Sequence, residues 1–126
     1  MTNKDTELTP VEIEQTLRRL YNNLTSGQDM LKLAEEEYSE AKAHYTVQLA
    51  ATRIQIKVNA RAAGEKMTVQ DLDDEALMLC ADEYQRLIIA EGMVKAAKSN
   101  MTKLLTQADI VRSLGASVRE AMRGPQ

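Results

Sequence analysis

The feature that most constrains this chain is an apolar stripe that holds helical phase from Ile13 to Ala63. Its positions are Ile13, Leu17, Leu20, Leu24, Gly27, Leu31, Ala34, Tyr38, Ala41, Tyr45, Leu49, Thr52, Ile56, Ala60 and Ala63. Steps of three and four return to one side of a helix with 3.6 residues per turn, and a strand does not carry such a period. The start is marked by Thr9 as N-cap, Pro10 as first helical residue and Glu12 as reciprocal capping-box partner. Thr25-Ser26-Gly27 interrupts the composition but not the phase, which leaves a kink and a loop equally open there. Gly64 is placed to end the helix as a left-handed cap.

A second start follows at once. Thr68 is the predicted cap, Asp71 lies three residues on, and Met67 is placed to staple against Leu72. The second stripe runs through Ala76, Cys80, Leu87, Ala90, Val94, Ala97, Met101, Leu104, Ala108 and Val111. Thr106 with Asp109 offers a restart for a terminal helix closed by Gly124-Pro125. The chain has 126 residues with only 5 Gly and 2 Pro, and its few aromatics are all Tyr. One domain with a core of Leu, Ile, Val, Met and Ala is expected. Residues 1–8 read as a flexible tail, and 9–126 as a single helical-hairpin domain. The predicted fold is all-α: a long antiparallel helical hairpin with short terminal helical segments, assembling into a homo-oligomer.

A turn near Gly64–Met67 sets a register in which residue numbers adding to about 132 face each other. Ala34 then meets Ala97 and Ala41 meets Ala90, with Tyr38 opposite Val94 and Tyr45 opposite Leu87. Small side chains face small and large face large, as a close seam needs. The charges agree. Residues 41–64 carry Lys42, Arg53, Lys57 and Arg61 and no acid, while 71–83 carry Asp71, Asp73, Asp74, Glu75, Asp82 and Glu83 and no base. Asp29, Glu35, Glu36 and Glu37 likewise fall across from Lys103, Lys98 and Lys95.

Each arm has a second apolar set: Met30, Leu33, Val47, Ala51, Ile54 and Val58 on the first, and Leu77, Tyr84, Ile88 and Met93 on the second. A helix that is apolar on two sides requires two partners. Terminal helices folding back, or further copies of the chain, would supply them; the expected answer is self-association.

Little here suggests chemistry. Cys80 is the only cysteine, so no intrachain disulfide forms. Met1-Thr2-Asn3-Lys4-Asp5 is no signal peptide, and no stretch has the length and apolarity of a membrane span, so a cytoplasmic location is expected. His44 has no carboxylate or thiol at ligand spacing, and Gly64 and Gly92 are isolated rather than part of a phosphate loop. The pairs Glu37-x-x-Glu40 and Asp71-x-x-Asp74 resemble those that hold Mg²⁺ in all-helical nucleotide pyrophosphatases. The hairpin register sets them roughly 30 Å apart. The prediction is a protein that is not an enzyme, with no metal and no cofactor.

The basic residues carry the functional expectation. Arg53, Lys57 and Arg61 recur every four residues, with Lys66 in the turn beyond, and form one line of positive charge suited to a phosphate backbone. The plainer alternative is that they pair with the Asp71–Glu75 acids. Arg112, Arg119 and Arg123 form a second basic group. With few aromatics for base stacking, binding would be indifferent to sequence and sensitive to salt.

From about Leu31 to Arg123 the chain resembles the small helical recombination mediators of tailed bacteriophages, the UvsY type. The similarity rests on RIQIKVNARAAG, on ADEYQRLIIAEGMVKAAKSNMTKLL and on the closing IVRSLGASVREAMR. Lys57 and Arg61 resemble the family's Lys/Arg pair for single-stranded DNA. Asn59 separates them more widely than in the family, and Leu114 stands where the family carries an Arg. The resemblance implies a ring-like homo-oligomer in a bacterial host's cytoplasm. It would bind single-stranded DNA and help load a RecA-like recombinase onto strands coated by single-strand-binding protein. The main alternative is a phage-encoded inhibitor or assembly factor that acts through a helical surface without nucleic acid. Helical-hairpin secretion proteins with a Trp-x-Gly motif share the outline, but this chain has no Trp.

Overall fold

The computed structural model describes residues 9–124, which form three helices: α1 (Pro10–Ala62), α2 (Val69–Leu79) and α3 (Ala81–Met122). The long α1 and α3 pack antiparallel with short α2 between them, giving the expected helical hairpin. The flexible tail expected over residues 1–8 and the Pro125 expected to close the last helix lie outside the described residues.

The caps form as their sequences dictate. Glu12 N–H donates to Thr9 Oγ1 at 3.2 Å and Thr9 N–H donates back to Glu12 Oε2 at 3.0 Å, completing a capping box. Gly64, at φ +70°, ends α1, and Glu65 N–H reaches back to Ala60 O at 2.9 Å. Asp71 N–H donates to Thr68 Oγ1 at 3.1 Å, which caps α2. Leu72 is buried beneath this cap, and Met67 packs on the same small core.

Three local features differ from expectation or settle it. Helix α1 is unbroken through Thr25-Ser26-Gly27, so the loop alternative is wrong. A Cβ on Gly27 would lie 2.8 Å from Met101 Sδ, so this glycine makes room for the facing arm. Helix α3 does not restart at Thr106, whose hydroxyl donates to Thr102 O at 3.0 Å, the back-bond of a residue inside a helix. The real interruption is at Cys80, which no Gly or Pro announces. Its φ and ψ of −102° and 21° leave the helical region. Cys80 N–H still bonds Ala76 O and its carbonyl accepts from Tyr84 N–H, both at 3.0 Å, so the stripe keeps phase across the break.

Contacts divide the chain into two compact units, Met1–Leu31 with Ala97–Gln126, and Lys32–Ala96. The first is built around Ile13, Leu20, Leu24, Leu104, Ala108 and Val111, with Leu17, Met101 and Val118 against them. The second has a thinner core of Ile56, Leu72 and Ala76, supported by Leu49 and Met67. Within it Ala41 and Ala90 are 1% and 2% exposed, and the Tyr45 and Tyr84 rings lie 5.5 Å apart. Thr52 receives a contact from Cys80 Sγ at 3.4 Å, in the expected register. The longer side chains meet partners out of that register: Tyr45 meets Tyr84 rather than Leu87, three residues away, while Arg53 meets Asp73 six residues away and Arg86 meets Glu37 nine residues away.

Candidate nucleic-acid interface

Arg53, Lys57, Arg61 and Lys66 all belong to the unit Lys32–Ala96. The first three rise along the last third of α1, about 6 Å apart at 1.5 Å per residue. Their surroundings divide them. Arg53 is half-buried, and its Nε lies 3.1 Å from Asp73 Oδ1, close enough for an ion pair though without hydrogen-bond geometry. Lys57 and Arg61 are exposed and have no carboxylate within 4.0 Å among the described residues. The expected pairing of this stretch with the facing acids is therefore corrected to a single pair.

Lys57 and Arg61 border an open groove of about 190 Å³ whose other walls are Ala60, Glu65, Met67, Thr68, Val69 and Leu72. The groove lies at the start of α2, where backbone N–H groups without intrahelical acceptors add positive potential. Lys66 is exposed in the turn between α1 and α2. Two flexible cations, a helix start and an apolar floor suit an anionic backbone that carries flat apolar groups.

The second basic group belongs to the other unit. Arg112 Nε donates to Tyr21 Oη at 2.8 Å, and its NH1 lies 2.6 Å from Asp109 Oδ1. The hydrogen bond to Tyr21, helped by the Asp109 charge, raises the Arg112 pKa. Two of its five donors are thereby engaged within the chain. Arg119 is exposed and without an ion pair among the described residues. Sequence reasoning missed Tyr21, although Tyr21 and Arg112 face each other in the expected register.

The acids expected to face Lys95, Lys98 and Lys103 do not pair with them. Lys95 is tied to Glu91 of its own helix at 3.2 Å. Glu37 and Glu40 both converge on Arg86, at 2.9 and 3.8 Å, and the bond to Glu37 raises the Arg86 pKa. Asp71 serves the Thr68 cap, and Asp74 accepts from Gln70. No group of three or more His, Cys, Asp or Glu able to hold a metal occurs among the described residues. His44 is exposed and Cys80 is buried. No helix among the described residues is long and apolar enough to cross a membrane.

No family model, curated protein or solved structure matches this chain.

Proposed function

We propose that this chain is a single-stranded-DNA-binding recombination mediator that helps load a RecA-like recombinase. The observation that carries the DNA-binding half is that Lys57 and Arg61 stand exposed and unpaired beside the groove at the start of α2. Had they served only to hold the hairpin together, they would sit against Asp71 and Glu75, as Arg53 sits against Asp73. The recombinase-loading half rests on the resemblance to the UvsY type.

Binding should be weak and nonspecific, because the chain carries a net charge of −3 and offers few cations to a strand. Anisotropy of a labelled oligonucleotide tests it. Affinity should fall with salt at a slope of about −0.7 per phosphate neutralised. No binding at low salt would overturn the reading.

The rival is a protein that masks a partner without nucleic acid. The exposed apolar residues of α2 and α3, among them Met78 and Leu79, favour it. It predicts flat anisotropy under all salt conditions.

A further inference from the structure

The few aromatic side chains of this chain are not scattered. Tyr38, Tyr45 and Tyr84, three of its four tyrosines, belong to the unit Lys32–Ala96 that also holds Lys57 and Arg61. Tyr45 and Tyr84 meet across the seam, with ring centroids 5.5 Å apart and planes tilted by 53°. Tyr84 is still 48% exposed, so its ring is braced by Tyr45 while much of its surface faces solvent.

Helix phase fixes the side of the hairpin on which Tyr84 opens. Asp73 lies eleven residues before it, about three turns, and the phase is kept across Cys80, so the two share one side. Asp73 is the acid that meets Arg53, which sets Tyr84 on the same side as the basic line of α1. Lys42 lies eleven residues before Arg53, again about three turns, and so extends that line toward the tyrosines. Its Nζ stands 5.9 Å from the centre of the Tyr38 ring. Arg86, two residues after Tyr84 and about 200° further round α3, serves the opposite side, where it holds Glu37 and Glu40.

Around Tyr84 this side is apolar. Leu77, seven residues before it, and Ile88, four after it, are 45% and 46% exposed. The acids beside the strip are neutralised, Asp73 by Arg53 at 3.1 Å and Glu91 by Lys95 at 3.2 Å. Lys42, Lys57 and Arg61 are exposed and have no carboxylate within 4.0 Å among the described residues. We infer that Tyr84 is a stacking platform for the bases of a single strand, whose phosphates follow Lys42, Lys57 and Arg61 along α1. A single strand is the polyanion that carries flat apolar faces free beside its charges, whereas a duplex hides those faces in its own stack. Free cations beside an uncovered aromatic strip match that pattern, and stacking of this kind does not depend on which base is present. Tyr45 and Lys57 are twelve residues apart, roughly 18 Å along the helix, a span that a few nucleotides of extended strand cover. This assignment rests on the DNA-binding reading and adds a base contact to its phosphate contacts.

Anisotropy of the full chain with two labelled probes tests this, an oligothymidylate and an abasic strand of the same length and charge. The parent should bind the oligothymidylate about tenfold more tightly, the effect of one stacked base. Tyr84→Ala should lose that preference and bind both strands as the parent binds the abasic one, with its salt slope unchanged because no phosphate contact is removed. Tyr84→Phe keeps the ring and should keep the preference. Circular dichroism and sedimentation of both variants should match the parent, and the abasic comparison on the parent needs no variant at all. Equal affinity of the parent for the two strands, or a Tyr84→Ala variant that binds oligothymidylate as tightly as the parent, would overturn the stacking role and leave the phosphate contacts standing. Weaker binding by Tyr84→Ala together with altered sedimentation would assign Tyr84 to a contact between copies and overturn it too. A parent that binds neither strand at low salt would overturn the DNA-binding reading itself, and the stacking role with it.

Discussion

Arg53 Nε lies 3.1 Å from Asp73 Oδ1, whereas Lys57, one turn further along the same helix, has no carboxylate within 4.0 Å among the described residues. Neighbours on one basic ridge therefore stand in different surroundings. Replacing Arg53 with Ala removes a partly exposed ion pair and the packing of its stem, and should cost up to about 1 kcal/mol. Lys57→Ala should stay within about 0.5 kcal/mol. Urea denaturation of the two variants beside the parent decides the point, and equal losses would mean that Lys57 is structural too.

The seam makes a sharper stability prediction. Ala41 and Ala90 are almost wholly buried, so Leu at either position should cost roughly 1–3 kcal/mol through overpacking. Ala43, two residues from Ala41 but exposed, should accept Leu within about 0.5 kcal/mol. Denaturation midpoints that fall equally at positions 41 and 43 would place the seam elsewhere.

Two glycines inside helices should behave oppositely. A Cβ on Gly92 meets nothing within 4 Å, so Gly92→Ala should stabilise by about 1 kcal/mol through helix propensity. Gly27 is pressed by Met101 Sδ at 2.8 Å, with the Asn100 and Leu104 side chains 3.6 Å away, so a large side chain there must displace them from the seam. Gly27→Leu should cost roughly 1–3 kcal/mol. Thermal melts of the two variants read this directly, and shifts of the same sign would contradict it.

Cys80 is 2% exposed, and its Sγ contacts Thr52 Oγ1 at 3.4 Å. Its thiol should react with a disulfide reagent slowly in the native protein and rapidly in denaturant. Fast native labelling would show that the chain opens at the α2–α3 junction.

Much of this fold is legible in the sequence because it depends on a period. Apart from Ala63, every residue of the two predicted stripes is buried or half-buried. The caps at Thr9, Gly64 and Thr68 are legible because each depends on a short local motif. The Cys80 break is not, since both flanks are good helix formers and the bonds from Cys80 N–H to Ala76 O and from Tyr84 N–H to Cys80 O carry the helical phase across it. Thr106 misled because a hydroxyl three residues before an acid fits an N-cap and a back-bonded helix interior equally well. For the candidate site, the line Arg53–Lys57–Arg61 follows from spacing alone. Which of its members is already engaged does not, because ion pairing depends on the side-chain reach and local register that set Arg53 against Asp73.

The central claim is that Lys57 and Arg61 are held free of the chain's own acids in order to contact phosphate. It is tested most directly by the salt dependence of oligonucleotide anisotropy for the parent and for Lys57→Ala/Arg61→Ala, with a melting curve on each. The double variant should bind more weakly, and its log–log salt slope should be flatter by about 1.4, two contacts at about 0.7 each. Its thermal midpoint should match the parent's. A lowered midpoint with unchanged affinity and slope would contradict the account and assign both residues to holding the hairpin together.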